Sequence, residues 1–293
     1  MEANPPHVCS SLVTWLHDQR IRHVCILASM SPYRIAPPFY VSFSGGRTSA
    51  YLLRHVLDAW GGELPKGAHV LFANTGKEHD ATYDFVERIG REWCVVTWIE
   101  WSPFGYNLVR PDTASRNGEP FAAMIAKRKY LPNPIARFCT SDLKVIPMQK
   151  FMSDNGYGEF TSVLGLRADE PRRVAKLRSD PTRDIAMPLA DAGVDRETIV
   201  AWWKQQPFDL ALPNDDPAFG NCDLCFLKGS ARIERVIRAE PSRAAWWAQQ
   251  EQAIGAKFRK DRPTYHQLLT QITVQGELFQ HLDDTTIPCD CTE

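Results

Sequence analysis

A chain of 293 residues, 44% hydrophobic and 24% charged, is long enough to bury a full core and has the make-up of a globular protein. A formal net charge of −1 excludes a globally basic, nucleic-acid-coating protein. No apolar run approaches the roughly 18 residues of a membrane-spanning helix, so no membrane partner is expected.

Residues 1–38 read as an extension, with a short helix over Leu12–Arg20 and an apolar patch at Val24–Leu27 before Pro32, Pro37 and Pro38 interrupt regular structure. Scattered His, Arg and Asp leave no signal peptide there, and the cytoplasm is the expected location. From Phe39 an aromatic and β-branched run predicts a buried strand, broken by Gly45-Gly46. A helix restarts with Leu52, Leu53, Val56, Leu57 and Trp60 at helical spacing. Strand, glycine turn and helix put backbone N–H groups at a helix N-terminus, which carries about half a positive charge and suits an anion. Ser44, Thr48 and Ser49 add hydroxyls, so Ser44–Ser49 reads as a phosphate cradle. It is neither a Walker A loop nor a dinucleotide fingerprint, because the Gly-Lys-Ser/Thr ending and the third glycine are missing.

Three further strands are expected at Ala68–Ala73, Cys94–Ile99 and Thr161–Leu166. A helix capped by Asp80 should bury Tyr83, Phe85, Val86 and Ile89. Alternation of strands and helices predicts an α/β fold with a Rossmann-like parallel sheet, whose ligands bind at the carboxyl ends of the strands. Ser44–Ser49, Asn74–Glu78 and Arg167–Arg173 all fall at such ends. From about residue 190 the pattern turns helical. Asp195 caps a helix over Glu197–Gln205, a Pro/Asp/Asn-rich loop leads to Cys222-Asp223-Leu224-Cys225, and helices follow over Ala231–Ile254 and Thr264–Leu278. The expected division is 1–38 extension, 39–190 nucleotide-binding domain and 191–293 mostly helical, cysteine-bearing region.

The order of motifs resembles the phosphoadenosine phosphosulfate (PAPS) reductase and PP-loop ATP pyrophosphatase superfamily, of the adenine nucleotide alpha hydrolase-like fold. Ser44-Gly45-Gly46-Arg47-Thr48-Ser49 is similar to the PP-loop, and Phe72–Glu78 to the second motif. Arg137–Pro147 resembles the cysteine-to-Lys-Val-x-Pro segment, Gly165–Arg173 the arginine motif, and Pro188–Asp191 the stretch that follows. Phe208–Cys225 resembles the approach to the Cys-x-x-Cys of adenosine phosphosulfate (APS) reductases. The resemblance implies ATP with Mg²⁺, gripped by Ser44, Gly45, Gly46, Arg47, Thr48 and Ser49. Asn74, Thr75, Gly76, Glu78 and Gly165 would line the nucleotide pocket, and Arg167 and Arg172 would clamp the reacting phosphate or the acceptor. Reductases tend to lose the second glycine or the last serine of this loop; both are kept here, as in ATP-cleaving members.

Eight uneven cysteines in a chain too long for a disulfide scaffold point to metal or redox chemistry. Cys139 with the Cys222/Cys225 pair is a thiolate set suited to iron–sulfur or zinc. The resemblance implies a 4Fe-4S cluster, with Zn²⁺ the alternative. Thr140 stands where cluster-bearing APS reductases have a second cysteine, which would leave one iron open unless Cys289, Cys291 or a histidine completes it. Cys289 and Cys291 are also the candidates for the attacking thiol, since the reductases' C-terminal Glu-Cys-Gly-Leu-His motif is absent. The leading expectation is therefore an enzyme that splits ATP to AMP and pyrophosphate to activate an acceptor, then transfers sulfur. Its partners would be an adenine nucleotide, a sulfur donor such as a cysteine desulfurase, and an acceptor left open between nucleic acid and small molecule, with a homo-oligomer compatible. The alternatives are an APS or PAPS reductase making sulfite, and a non-catalytic nucleotide-binding module with structural zinc.

Several side chains have plainer readings. Trp202-Trp203 and Trp246-Trp247 sit on expected helices and suit packing better than base stacking. Lys127-Arg128-Lys129-Tyr130 is a solvated helix face or a polynucleotide grip. Asp169 and Glu170 hold magnesium or pair with Arg172 and Arg173. His55 and His79 are packed or surface residues rather than ligands, Cys9 and Cys25 are filler, and Cys94 stands outside the ligand set.

Overall fold

The computed structural model describes residues 31–275. The expected helix at Leu12–Arg20, the patch at Val24–Leu27, and Cys9, Cys25, Cys289 and Cys291 lie outside the described residues. The strands are β1 (Phe39–Ser42), β2 (Ala68–Asn74), β3 (Thr97–Ser102), β4 (Gly105–Val109), β5 (Thr161–Val163) and β6 (Ile185–Ala186). They form one sheet in the order β4-β3-β2-β1-β5-β6, parallel except for the β3–β4 hairpin. The chain moves outward from β1 through β2 to β3, then returns to place β5 on the other side of β1. That reversal is the crevice where open α/β sheets bind ligands.

Alternation along β1 decides what each face carries. Phe39, Val41 and Phe43 point to one face with Leu52, Leu53, Val56 and Leu57 of α1 (Arg47–Ala59) and Tyr83, Phe85, Val86 and Ile89 of α2 (Asp80–Glu92). Tyr40 points to the other, with Leu71, Ala73 and Ile99 against Met148, Phe151 and Met152 of a helix over Ile146–Asp154. Fully burying each such aliphatic side chain is worth about 1.5–3 kcal/mol. The cluster on the α1 face continues through Trp203, Phe219 and Leu224 to Trp247 and Ile272, so the C-terminal helices pack on the same core as the sheet.

The elements differ from the sequence expectation in definable ways. His79 caps α2, its Nδ1 accepting from Ala81 N at 3.1 Å, and Asp80 is already helical. The third strand starts at Thr97 because the Cys94 N–H bonds back to Ile89 O at the end of α2. The strand at 161 ends at Val163, where Gly165 turns to pack on Ser49. The helix expected over Ala231–Ile254 is two, Ser230–Ala239 and Arg243–Ile254, divided by Pro241, whose ring leaves no N–H to continue the first. Asp195 does cap its helix, Arg196–Trp203, accepting from Thr198 N at 2.8 Å.

Candidate functional site

The residues expected to cradle a phosphate form a strand-to-helix turn, and all but Arg47 are bonded within or packed against it. The loop leaves β1 at Ser42 and enters α1 with Gly46 as N-cap and no side-chain cap on the helix's first N–H groups. Ser49 Oγ donates to Gly46 O at 3.0 Å, lies 3.0 Å from Ser44 Oγ, and accepts from Ser44 N at 3.2 Å, so the two serines brace the turn from within. Gly45 sits at φ +77° with Thr82 and Val86 against it, and a Cβ there would lie 2.7 Å from Thr82 Cγ2. Gly46 adopts ordinary extended dihedrals, so the glycine that the turn requires is Gly45.

Arg47 is the exception. Its Nε donates to Asp209 Oδ1 at 2.7 Å and its Nη2 to Asp215 Oδ1 at 2.5 Å and Leu210 O at 3.2 Å. Burial works to lower its pKa, but the bonds to Asp209 and Asp215 outweigh that and raise it. The fork expected on a phosphate is committed to the loop before Cys222. Arg167 stands closer to the expected role: it reaches Thr48 Oγ1 at 3.4 Å, while pairing with Asp169 at 2.9 Å. Arg172 is exposed on the helix Pro171–Arg178. Asp169 is taken by Arg167, and Glu170 by Arg173, which leaves the pairing rather than the magnesium reading for both, with Arg167 as an unforeseen partner.

The second motif is bonded into the protein interior. Asn74, Thr75 and Glu78 are buried and bonded inward. Asn74 Nδ2 donates to Glu100 Oε1 at 2.7 Å and to Ser115 O at 2.8 Å. The Glu78 carboxylate accepts from Thr75 Oγ1 at 2.8 Å and from Tyr83 OH and Lys77 N, both at 3.2 Å. Gly76, at φ +75°, has the backbone of Gly118 against it, since an added Cβ would lie 2.8 Å from Gly118 N. This knot is a dock for the cysteine loop. Asp223 N donates to Lys77 O at 2.7 Å, the Lys77 ammonium meets the Asp223 carboxylate at 3.1 Å, and Thr75 Oγ1 lies 3.7 Å from Cys222 Sγ. From the other side Trp247 Nε1 donates to Asp223 Oδ1 at 2.8 Å and Tyr265 OH to Leu224 O at 2.6 Å. The buried Lys228 ammonium donates to the carbonyls of Ala218, Gly220 and Asp223.

A cavity of about 490 Å³ opens at the carboxyl ends of β1, β2 and β5. Its sheet side is Tyr40, Ser42, Phe43, Ser44, Ala73, Ser162 and Leu164. Its outer wall is Arg137, Thr140, Ser141, Lys144 and Val145, with Lys176, Asp180 and Arg183 opposite. A π-helical turn over Ser141–Val145 supplies part of that wall, an irregularity that recurs at functional sites. Four cations, Arg137, Lys144, Lys176 and Arg183, line it with one carboxylate, Asp180, which pairs with Arg183 at 3.0 Å, and its size is that of a small-molecule site. Sequence reasoning assigns none of these four to the site. Arg137 and Lys144 enter it only as neighbours of Cys139, and Lys176 and Arg183 come from beyond β5.

Cys139, Cys222 and Cys225 are half-buried thiols outside any disulfide, as is Cys94, whose pKa burial pushes up to about 11. Cys139 lies in the chain between Arg137 and Thr140, which line the cavity, whereas Cys222 is held against the Thr75 knot. Three thiolates would suit zinc or an iron–sulfur cluster by donor type. Among the described residues, however, no group of three or more His, Cys, Asp or Glu is placed to hold a metal ion. Cys289 and Cys291, the expected candidates to complete the set, lie outside the described residues. The Trp expectation holds: Trp203 and Trp247 are buried, and Trp203 Nε1 donates to Arg47 O at 3.0 Å. His79 pairs with Glu240, and His55 stacks on Tyr51.

No family model matches the chain. The uncharacterized nin region protein ORF290 of Escherichia phage lambda is 38% identical over 212 residues, covering 68% of this chain and 69% of that protein. The chain belongs to the family of that phage protein. The uncharacterized protein MJ0066 of Methanocaldococcus jannaschii is 29% identical over 137 residues, which span 47% of this chain and 24% of that relative. Among solved structures, PAPS reductase from Candida auris in a phosphate complex superposes with a TM-score of 0.35 at 17% identity, over 64% of this chain and 85% of that one. The U34-tRNA thiolase NcsA from Methanococcus maripaludis with its 4Fe-4S cluster superposes with a TM-score of 0.33 at 14% identity, over 92% and 87%. Both superpositions are too loose to carry any residue's role across. No helix among the described residues is long and apolar enough to cross a membrane.

Proposed function

We propose that the chain is an enzyme that binds ATP at the β1–α1 loop and splits it between the α and β phosphates, transferring AMP to an acceptor oxygen. The observation that carries this reading is the cavity at the strand ends, with Ser44 of the loop on one side and Arg137, Lys144, Lys176 and Arg183 around it. The loop amides and the N-terminal end of α1 would face the pyrophosphate portion, and the cavity cations would offset charge as it develops on the leaving group. The acceptor oxygen bonds to the α phosphorus as the bond to the bridging oxygen breaks, and pyrophosphate leaves with that electron pair. Ser44 and Ser49 hold the turn in shape, and Arg167 braces it through Thr48.

Cys139 is the cysteine that chain position puts beside this chemistry, since Arg137 and Thr140 both line the cavity. A sulfur-transfer step would need a carrier thiol there. The test is product analysis with the full chain: ATP should yield pyrophosphate, and ATP should compete better than APS or PAPS for binding. Tighter binding of either phosphosulfate, with no pyrophosphate formed from ATP, would replace this reading with a reductase.

A further inference from the structure

We infer that the face beside the cavity mouth is a docking surface for single-stranded RNA, which would bring the acceptor to the nucleotide. The inference rests on the function proposed above for the cavity, but its surface is a separate one. In a chain of net charge −1, residues 127–150 carry six Lys and Arg side chains against one carboxylate, Asp142. Asp142 is buried and spent on Arg128, whose Nε and Nη2 donate to it at 2.8 and 2.9 Å. Lys127 and Lys129 are exposed at the C-terminal end of the helix Glu119–Arg128, and Arg137 and Lys144 continue the positive strip into the cavity wall.

Large apolar side chains are interleaved with these charges where a solvated surface has no use for them. Phe104, at the tip of the β3–β4 hairpin, is 95% exposed, and Ile135 is 97% exposed; Tyr130 is also open to solvent. Hydrogen bonds bring their segments together. Lys127 Nζ donates to Pro103 O at 3.1 Å, which ties the helix end to the hairpin tip next to Phe104. The Tyr130 and Phe138 rings lie 6.2 Å apart, Arg128 lies over Phe138 at 5.3 Å, and Asn133 Nδ2 donates to Tyr130 OH at 3.0 Å. The chain then runs from Phe138 directly to Cys139 and the cavity wall.

Charge complementarity selects a polyanion, and exposed rings among the charges select one whose bases are unstacked. A duplex hides its base faces, and an acidic peptide offers none to stack. RNA presents unpaired bases in loops and ends as a matter of course, where aromatic side chains read them. A strand lying across Phe104 and Tyr130 with its phosphates on Lys127 and Lys129 would lead into the wall formed by Arg137 and Lys144.

The test is fluorescence anisotropy of a short, unstructured, end-labelled RNA oligonucleotide with the full chain, repeated across a salt series. Binding is expected, with the double variant Lys127→Glu/Lys129→Glu about tenfold weaker or more and the salt slope reduced by roughly 0.7 for each lysine–phosphate pair removed. Phe104→Ala should weaken binding by about tenfold with the salt slope unchanged, as removal of one stacked base predicts. No binding at low salt, no response to either variant, or equal affinity for duplex RNA or for the DNA strand of the same sequence would overturn the inference. So would sedimentation showing a dimer that Phe104→Ala separates, because the face would then join two copies of the chain. ATP affinity is measured in parallel on the same samples. Its absence from the unaltered chain would remove the proposed function while leaving the RNA result standing.

Discussion

Gly45 carries the tightest constraint in the loop, and its consequences are local. At φ +77° and with Thr82 and Val86 against it, any side chain meets both conformational strain and overlap. Gly45→Ala is expected to lower stability by roughly 1–3 kcal/mol, read by chemical denaturation, whereas Gly46→Ala should cost well under that because its backbone is ordinary. From the sequence the two glycines look alike; only the approach of α2 separates them. Cys94 is a second single-residue case. Burial raises its thiol to about 11, so the neutral form persists at neutral pH and only the thiolate alkylates. Mass spectrometry after iodoacetamide treatment of the folded chain at pH 7.5 (about one unit below an ordinary thiol) should find Cys94 unmodified. Modification of Cys94 under those conditions would contradict its burial.

At the scale of elements, the loop Cys222–Cys225 is braced from every side. Lys77, Trp247, Tyr265 and Lys228 all hold it, and the Lys77–Asp223 pair is buried on both sides. Removing one partner of a buried pair strands the other charge, so Asp223→Ala should destabilise by roughly 3–5 kcal/mol and speed alkylation of Cys222. The Arg47 pairs with Asp209 and Asp215 reach the same loop region but are partly solvated. Asp215→Ala should therefore cost no more than about 1 kcal/mol in the same denaturation experiment. The strand–loop–helix of residues 39–59 is legible in sequence because its pattern is local, and so is the inward face of α2. The docking of Asp223 on Lys77 is not, since nothing near either residue announces a partner on a distant element. The motif Asn74–Glu78 is legible as a strand end, but its bonds to Glu100, Tyr83 and the cysteine loop are not, because a run of polar residues looks the same whether it faces a ligand or another loop.

At the scale of the whole molecule, the parallel sheet and its reversal at β1 follow from the strand–helix alternation, and the cavity sits where that topology places a ligand. Its cations are less legible. Lys176 and Arg183 reach it only because β5 and β6 pair beside β1, a long-range arrangement that no local pattern encodes. Whether this cavity takes the phosphates of ATP is decided by calorimetric titration of the full chain with a non-hydrolysable ATP analogue, beside Lys144→Glu and Arg183→Glu. Saturable binding to the unaltered chain is expected, at least about tenfold weaker in each variant, since reversing a charge beside a phosphate forfeits a charge-assisted hydrogen bond of about 1.5–3 kcal/mol. Absence of binding, or equal affinity in both variants at unchanged stability, would rule out the cavity as the nucleotide site.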